Sequence, residues 1–245
     1  MEVISIIPAR SGSKGITNKN LQEVGGKNLL SWSINASLRT QHIGRTIVST
    51  DSIEYSNLAT ELGAEVPFLR PADLARDSSP DIDFVKHAIL RLTEMGTRPD
   101  LIVHLRPTTP FRDPQIIDQA IGEFINSGSR YSALRSVHEM SESAYKTLEI
   151  DSEGQLMSVF TNNCDIEQSN MARQSFPTTY SPNGYVDIIA TDYVEMENKI
   201  HGARVKAFVT PRVIEVDDAS DLEYLNVSLE ISQSPYQKVF GGVDE

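Results

Sequence analysis

A glycine-containing basic loop follows the first apolar run of the chain. It extends from Ala9 to Asn20, and its glycines let the backbone approach a ligand while its cations can neutralise phosphate. The residues concerned are Arg10, Gly12, Lys14, Gly15 and Lys19. Their spacing fits neither a Walker A loop nor a dinucleotide fingerprint. The loop therefore predicts a triphosphate site, with a solvated basic loop as the competing interpretation.

Two further loops combine arginine with proline after a predicted strand. Leu69–Ala75 contains Arg70, and Leu105–Arg112 contains Arg106 at its start. Prolines stiffen the second loop, and its two arginines, Arg106 and Arg112, could contact phosphate or sugar oxygens. A turn without a ligand explains either loop about equally well. The neighbouring His104 lies inside an apolar strand, where we expect a core histidine with satisfied hydrogen bonds.

An acidic segment near the end of the chain could hold a cation. Glu215 and Asp217 lie two apart in a predicted strand, and alternate residues of a strand share one face. Carboxylate oxygens beside a triphosphate suit Mg²⁺. Asp218 or Ser220 could instead cap the helix that follows. We expect both roles within this segment.

The elements that must position these loops alternate between strand and helix along the chain. Short β-branched runs predict the strands Val3–Ile7, Thr46–Ser49, Val66–Leu69, Leu101–Leu105, Ser132–Val137, Gly184–Ala190, Val205–Val209 and Val213–Val216. Helical spacing predicts Leu29–Leu38, Ile53–Leu62, Asp81–Met95, a helix from about 114 to 128, and Ala219–Ile231. This order predicts an α/β fold with a doubly wound, mostly parallel sheet. Ligands of such sheets bind beyond the carboxyl ends of the strands, where the basic loops lie.

The alternation weakens over residues 138–182, which we interpret as an insertion. The segment is polar and mixed, with a predicted hairpin around Asp151–Gly154. Its apolar residues are too few to form a core of their own and are expected to bury against a second subunit. They are Leu148, Ile150, Leu156, Val159 and Phe160. The predicted organisation is therefore a nucleotide-binding domain (1–137 and 183–232), a dimerisation insertion (138–182) and a loose tail (233–245).

Composition narrows the classes of partner. The 245 residues carry a net charge of −12, which repels nucleic acid, so we expect no nucleic-acid partner. The negative net charge also repels anionic small molecules. A binding site for an anionic small molecule must therefore concentrate cations locally. No run is long enough for a membrane helix, no secretory signal is evident, and the single cysteine, Cys164, excludes an internal disulfide. We expect a cytoplasmic protein.

The motifs resemble those of the acylneuraminate cytidylyltransferases, also called CMP-sialic acid synthetases. The resemblance begins with the run from Ile6 to Gly15 and with Lys19-Asn20-Leu21. It recurs in register at Val48-Ser49-Thr50-Asp51, Leu69-Arg70-Pro71-Ala72, Pro107-Thr108-Thr109-Pro110, Arg173-Gln174, Pro182-Asn183-Gly184 and the acidic segment from Glu215 to Leu222. It covers about Ile4 to Leu225. Relatives commonly have Gln at the position of Arg106 and Asp at that of Glu215.

The resemblance implies a Rossmann-like nucleotidyltransferase fold with a dimerisation insertion, a homodimer, and CTP and Mg²⁺ as co-substrate and cofactor. The anomeric hydroxyl of a nine-carbon 2-keto acid sugar, of the sialic, legionaminic or pseudaminic type, would attack the α-phosphate and release pyrophosphate. Arg10, Lys14 and Asp217 are the implied catalytic residues, and Asp217 with Glu215 the implied metal ligands. The implied nucleotide contacts are Arg10, Ser11, Gly12, Lys14, Lys19, Asn20, Asp51 and Arg70. The implied sugar contacts are Arg106, Thr108, Lys146, Arg173, Gln174 and Asn183.

Two groups of alternatives stay open at this stage. The chain could be a nucleotidyltransferase for the eight-carbon acid KDO or for a sugar 1-phosphate. It could also be an inactive nucleotide-binding module that has kept the fold. Intact Lys14, Arg173 and Asp217 argue against the inactive module, since a degenerate site should first lose charges that are costly to maintain.

Overall fold

The apolar runs of the sequence form the strands of a central sheet and two small hairpins. The computed structural model describes residues 1–13, 15–162 and 166–241. In that part of the chain the strands are β1 (Val3–Pro8), β2 (Glu23–Val24), β3 (Lys27–Asn28), β4 (Arg45–Ser49), β5 (Leu101–His104), β6 (Ala133–Glu139), β7 (Leu148–Ile150), β8 (Leu156–Ser158), β9 (Tyr180–Ala190) and β10 (Val205–Val209).

The helices lie between these strands. In the same described ranges they are α1 (Leu29–Leu38), α2 (Ile53–Glu61), α3 (Asp81–Glu94), α4 (Pro114–Asn126), α5 (Thr191–Glu197), α6 (Ala219–Ile231) and α7 (Ser234–Phe240). Side chains just before several helices accept the first free backbone N–H groups. Asn28 caps α1, Ser52 caps α2 and Asp113 caps α4, whose first residue is Pro114.

The sheet has the order β10-β6-β9-β5-β1-β4 and is mostly parallel. β1 pairs in parallel with both β4 and β5, so their carboxyl ends meet at one edge. β9 runs antiparallel to β5, and Asp187 is paired in register with His104. The loops that follow β1, β4 and β5 are therefore brought side by side with the first half of β9.

Helices cover both faces of the sheet, as a doubly wound fold requires. Alternate residues of β1 point to opposite faces: Ile4 and Ile6 pack against α3, while Val3 and Ile7 belong to the larger core that includes α1, α4 and α6. Because both faces of these strands are buried, residues that point to either face are apolar. The strands therefore read as near-continuous apolar runs in the sequence. The predicted fold class is confirmed.

The chain divides into two compact units. The first consists of Met1–Ser136 with Asn183–Glu245, and the second is Val137–Pro182. The second unit contains the β7–β8 hairpin, in which Ile150 pairs with Leu156 across the predicted turn. Its boundaries lie within one residue of those predicted for the insertion.

Two predicted strands are wrong. Over Val66–Leu69 the structure has a loop, because only Glu65 bridges to Ile47 and Leu69 faces solvent. Val213–Val216 is also a loop, although Val216 is buried and donates its N–H to the carbonyl of Thr108 at 2.7 Å. Both runs are rich in residues that favour strands, yet only isolated hydrogen bonds hold them and neither forms a ladder with the sheet.

The prediction of a loose tail is wrong for residues 234–240, which form α7. Val239 is fully buried, and Tyr236 and Phe240 pack their rings against Trp32 of α1. The indole N–H of Trp32 donates to the carbonyl of Val24 at 3.0 Å, which fixes the ring that α7 covers. Seven residues are too few to show a helical period in sequence, so tertiary packing decides this helix.

None of the described helices has the length and apolar character needed to cross a membrane.

We predict that Phe240→Ala lowers the free energy of unfolding by about 2 kcal/mol. A fully buried Phe→Ala change costs about 3–5 kcal/mol, and Phe240 is only partly buried. Its edge-to-face contact with Trp32, with ring centroids 4.7 Å apart, is also lost. Gln237→Ala on the exposed side of α7 serves as the control. Urea unfolding that gives both variants the same midpoint would show that α7 adds nothing to the core.

Candidate functional site

The loop after β1 is held in shape by a carboxylate from the neighbouring strand end. Asp51 accepts hydrogen bonds from the N–H of Ser11 at 2.8 Å and from its hydroxyl at 2.7 Å. Burial alone would raise the pKa of Asp51, but the hydrogen bonds from Ser11 outweigh it and lower the pKa. Gly12 has a φ of 71°, in the left-handed region that favours glycine. Asn20 closes the loop by donating to the carbonyl of Arg10 at 3.1 Å.

The cations of this loop that the structure describes are paired with carboxylates. Arg10 lies 2.6 Å from Asp77, and Lys19 donates to the carbonyl of Val216 at 2.9 Å and lies 3.5 Å from Asp217. The predicted catalytic Lys14 lies outside the described residues. The loop thus keeps its charges at fixed places by means of partners from other parts of the chain.

Arg70 is buried beneath the same edge of the sheet. Its guanidinium donates to the hydroxyl of Ser49 at 3.0 Å and to the carbonyl of Ser49 at 2.6 Å, and it stacks over Phe84 at 4.7 Å. Burial lowers the pKa of Arg70 to about 10, although Asp51 and Asp81 raise it in part. Arg70 is therefore rigid and retains its charge at neutral pH.

These loops surround one cavity of about 480 Å³ in the first unit. Of the predicted site residues, the structure brings Arg10, Lys19, Asn20, Arg70, Arg106 and Thr108 together in its wall. Ser11, Gly12 and Asp51 are part of the loop framework described above. The cavity also contains Arg76, Asp77, Ser79 and Asp81, which were not predicted from the sequence.

A buried network of charges forms one side of the cavity. Arg106 donates to Asp187 and to Asp81, each at 2.9 Å. Asp187 is fully buried, with Arg135 and His201 each 3.8 Å away from its carboxylate oxygens. Burial would raise the pKa of Asp187, but its interactions with His201 and Arg106 lower it to about 2. Asp187 is therefore an anion at any physiological pH.

His104 lies in the same network and corrects an expectation. It is buried as predicted, but among the described residues neither ring nitrogen has a hydrogen-bond partner. Burial and the charge of Arg106 hold the pKa of His104 well below its usual range, against the influence of Asp81 and Asp187. The imidazole is therefore neutral in the folded protein.

Arg112 is not a ligand-facing residue, which corrects the prediction that both arginines of the 105–112 loop could contact substrate. Its side chain is buried, and burial lowers its pKa to about 9. The guanidinium donates to five oxygens of the 105–112 loop, of β9 and of α1. They are the carbonyls of Tyr185, Arg106, Gly184 and Thr109 and the hydroxyl of Ser33.

In the acidic segment near the end of the chain, neighbouring carboxylates have different roles. Asp218 caps α6 by accepting from Ser220 and Asp221, and Asp221 accepts from Asp217 and Asp218 in return. Asp217 has a side chain that is 82% exposed and faces Lys19. Capping by Asp218, one of the two predicted possibilities, is confirmed.

Glu215 and Asp217 were expected to share one face of a strand, but the segment is a loop, so that reason for their convergence is wrong. Glu215 lies beside Gly184 and accepts a long hydrogen bond, 3.4 Å, from Thr109. Among the described residues no group of three or more His, Cys, Asp or Glu could hold a metal ion. Asp217 alone still fits Mg²⁺, which usually takes one or two carboxylates and completes its shell with substrate phosphates and water.

The predicted sugar contacts are divided between the units. In the second unit Lys146 donates to the carbonyl of Met171 at 3.0 Å, and Arg173 donates to Glu139 at 2.9 Å and to the carbonyl of Met140 at 3.0 Å. Arg173 and Gln174 share a polar cleft of that unit.

Asn183 belongs to the first unit and is buried. Its amide donates to Thr210 at 2.9 Å, and its side-chain oxygen accepts from the N–H of Tyr185 at 3.2 Å. The side chain thus shapes β9 from inside, and its role as a sugar contact stays a prediction.

Two of the missed residues had a signal in the sequence. Asp187 is an acidic residue within an apolar strand, and a buried carboxylate of this kind needs cations nearby. Asp81 lies at the start of a predicted helix, where an acidic residue is ordinarily explained by the helix dipole. Their shared partner, Arg106, is apparent only from the fold.

We predict that His104→Gln reduces the loss of stability that the protein shows as the pH falls below neutral. Below about pH 6.5 a histidine in the unfolded chain is protonated, whereas the buried His104 stays neutral. The free energy of unfolding therefore falls as the pH falls. This single group contributes a slope of up to about 1.4 kcal/mol per pH unit. Urea unfolding at several values between about pH 4.5 and pH 7 measures the slope. Equal slopes for the variant and the unchanged protein would contradict the neutral assignment.

A family model described as Cytidylyltransferase matches residues 4–152. The chain is 32% identical over 224 residues to N-acylneuraminate cytidylyltransferase of Escherichia coli O18:K1:H7 (strain RS218 / NMEC), a match over 91% of this chain and 51% of that protein. It is 26% identical over 234 residues to pseudaminic acid cytidylyltransferase of Campylobacter jejuni subsp. jejuni serotype O:2 (strain ATCC 700819 / NCTC 11168), covering 95% and 98% of the two chains. It therefore spans about half the length of the first relative and nearly all of the second.

The fold is also that of a solved structure, CMP:2-keto-3-deoxy-manno-octonic acid synthetase complexed with CTP. The TM-score is 0.71 over 94% of this chain and 99% of that chain. At 13% identity this likeness shows the fold alone. The matched family region includes the basic loop, Arg70 and Arg106, which line the cavity, and Asp51, which holds the basic loop. The chain belongs to the cytidylyltransferase family.

Proposed function

We propose that this protein transfers CMP from CTP to the anomeric hydroxyl of a nine-carbon 2-keto acid sugar of the sialic, legionaminic or pseudaminic type. The anomeric oxygen forms a bond to the α-phosphorus and loses its hydroxyl proton to water. The bond from that phosphorus to the bridging oxygen of the β-phosphate breaks, and pyrophosphate leaves with that bond's electrons. The names of the relatives support the substrate class, and family membership supports the reaction.

The observation that carries the proposal is the concentration of cations at one cavity of an acidic protein. Arg10, Lys19, Arg70 and Arg106 face the same space in a chain of net charge −12. In the structure, internal carboxylates such as Asp77 and Asp217 balance these cations, and a triphosphate could take their place. The cluster also lies beyond the carboxyl ends of parallel strands, where such folds bind nucleotides.

In this proposal each cation has a different task. Arg10 and Lys19, with Lys14 from the same loop, neutralise charge on the phosphates, which grows on the leaving pyrophosphate as the bond breaks. Arg70 is buried and held by Ser49, so it is suited to a fixed contact with base or ribose. Positioning and charge neutralisation together supply most of the barrier reduction expected for a displacement at phosphorus.

Mg²⁺ is proposed as the cofactor, with Asp217 as its principal ligand and Glu215 as a second candidate. When bound, the metal would neutralise charge on the triphosphate oxygens. Asp217 is exposed, adjacent to Lys19, and has lone pairs left over from that contact. The resemblance to the family is the basis for including Glu215.

The carboxylate of the sugar acid needs cations of its own. Lys146 and Arg173 are the candidates, with Gln174 beside them, because the family resemblance matches these positions to sugar contacts. Arg173 is about half exposed and is paired with Glu139. The carboxylate of the sugar acid would therefore replace Glu139 as the partner of Arg173. A charge-assisted contact of this type contributes about 1.5–3 kcal/mol.

We further propose a cytoplasmic homodimer. The second unit has exposed apolar side chains, among them Ile150 at 72% and Phe160 at 59% exposure, near the less exposed Leu148, Leu156 and Val159. Tyr145 packs against Phe160 with ring centroids 4.5 Å apart, which holds that ring in place at the surface. An apolar group of this size on a small unit is suited to a subunit interface.

Pyrophosphate release in the presence of CTP, Mg²⁺ and each candidate acid tests the reaction. We expect release with at least one nine-carbon acid, formation of the corresponding CMP-sugar, and little release when UTP or ATP replaces CTP. Release only with the eight-carbon acid KDO or with a sugar 1-phosphate would replace the proposed acceptor class. CTP binding without any release would identify an inactive binding module.

We predict that Asp217→Asn lowers turnover by at least about 100-fold and leaves the melting temperature nearly unchanged, since the substitution is almost isosteric at an exposed position. Asp218→Asn is the matched control: it changes a neighbouring carboxylate that caps α6, and Asn is an equally good cap. A normal rate for Asp217→Asn, or full activity in excess EDTA, would reject the metal assignment.

We predict that replacing both Ile150 and Phe160 by Ser converts the dimer to a monomer. The change removes two exposed apolar groups that would be buried in the interface, at about 1.5–3 kcal/mol each. Light scattering at micromolar concentration measures the mass. Met196→Ser, at an exposed apolar position of the first unit, is the control. A monomeric unchanged protein would refute the proposal.

A further inference from the structure

Arg76 lies in the wall of the cavity, in the turn of residues 76–79 that precedes α3. The backbone of this turn is fixed through Ser79. The N–H of Ser79 donates to the carbonyl of Arg76 at 3.1 Å. The hydroxyl of Ser79 accepts from the N–H of Arg76 and donates to the carbonyl of Asp73, each at 3.2 Å. These bonds set the point from which the side chain of Arg76 extends.

The guanidinium of Arg76 has no partner in the described ranges of the chain. It is exposed, and it makes neither a hydrogen bond nor an ion pair with those residues. The other described cations of the cavity are engaged, because each is bonded either to a carboxylate or to Ser49. An anion that binds Arg76 therefore displaces water and no carboxylate of the protein.

An ion pair connects the turn of residues 76–79 to the basic loop. Asp77, the residue after Arg76, lies 2.6 Å from Arg10. Neighbouring Cα atoms are about 3.8 Å apart, so the long side chain of Arg76 can reach a ligand that contacts Arg10. Exposure rises from the buried Arg70 through the partly exposed Arg10 to the exposed Arg76. The three arginines thus form a series from the interior of the cavity to its surface.

Given the proposed function, we propose that Arg76 is a specificity-determining residue that binds the β- and γ-phosphates of CTP and favours the triphosphate over CMP. A nucleotide whose base or ribose contacts Arg70 has its phosphates directed past Arg10 and towards Arg76. The planar guanidinium presents paired N–H donors that match two phosphate oxygens. Because the β- and γ-phosphates leave as pyrophosphate, the contact is made with the substrate and the leaving group and is absent from the CMP-sugar.

Calorimetry with CTP, CMP and inorganic pyrophosphate, on the full chain with Mg²⁺ present, tests this role. Arg76→Gln removes the charge and the fork at an exposed position, so the melting temperature should change little. We expect the dissociation constant for CTP to rise about 10-fold, that for pyrophosphate to rise by a similar factor, and that for CMP to stay within about 2-fold. Arg76→Lys keeps the charge without the fork and should weaken CTP binding by about 3-fold.

Arg130→Gln is the matched control. It removes the same charge from an exposed arginine between α4 and β6 that is not part of the cavity wall. We expect its dissociation constant for CTP to stay within about 2-fold of that of the unchanged protein. Equal losses of CTP affinity in Arg130→Gln and Arg76→Gln would mean that net charge alone is responsible, and would overturn the proposal.

The remaining outcomes also decide the role of Arg76. Unchanged CTP affinity in Arg76→Gln would identify a solvated surface charge, and equal losses for CTP and CMP would remove the preference for the outer phosphates. A loss of affinity for the sugar acid with CTP affinity unchanged would assign Arg76 to the acceptor instead. If the unchanged protein does not bind CTP, this proposal and the proposed function both fail. CTP binding that depends on Arg76, without CMP transfer to any acid, would contradict the proposed function alone.

Discussion

The buried guanidinium of Arg112 is the interaction on which the geometry of the site depends. It has no carboxylate partner at hydrogen-bond distance in the described part of the chain and is solvated by carbonyl and hydroxyl oxygens of the protein. Burying such a charge is tolerated only when its donors are fully used, and here they converge on five acceptors. The loop after β5, the start of the buried part of β9 and helix α1 are thereby fixed to one planar group. Arg106 leaves this loop at a set position because its own carbonyl is one of the five acceptors.

The sheet supplies the second constraint. Because β1, β4 and β5 are parallel neighbours, their following loops are placed side by side, and the antiparallel β9 brings Asp187 to the same level as His104. Arg10, Asp81 and Arg106 therefore lie within a few residues of a strand end or a helix start. Arg70 lies in a loop and is held instead by Ser49 at the end of β4. A rigid element behind each side chain is what allows a site of closely spaced charges to keep its geometry.

Sequence reasoning was strongest where a local rule and the tertiary structure agree. Helices α1 and α6 have the bounds predicted for them. Apolar spacing marks α1 in the sequence, and the capping candidate Asp218 marks the start of α6. The reasoning failed where the outcome depends on a distant partner. Arg106 and Arg112 share one motif, yet one faces the cavity and the other is enclosed by β9 and α1. Asp187 was visible as an unusual acidic residue, but its pairing with Arg106 spans 81 residues of sequence. The helix formed by residues 234–240 depends on the ring of Trp32 and has no sufficient signal of its own.

In the proposed function, the pairing of Arg10 with Asp77 and of Lys19 with Asp217 would make nucleotide binding an exchange of ion partners. A ligand that takes up Arg10 must release Asp77, and one that takes up Lys19 must release Asp217, so the free energy gained is a difference between two ion pairs. An anion with a single charge gains little binding free energy from this exchange. A triphosphate, which has several charges on adjacent groups, can displace both carboxylates together. With such an exchange, the internal carboxylates would favour a triphosphate over small anions in the cavity of a strongly acidic protein. Asp217, released from Lys19, would then be available to the metal proposed to accompany the triphosphate.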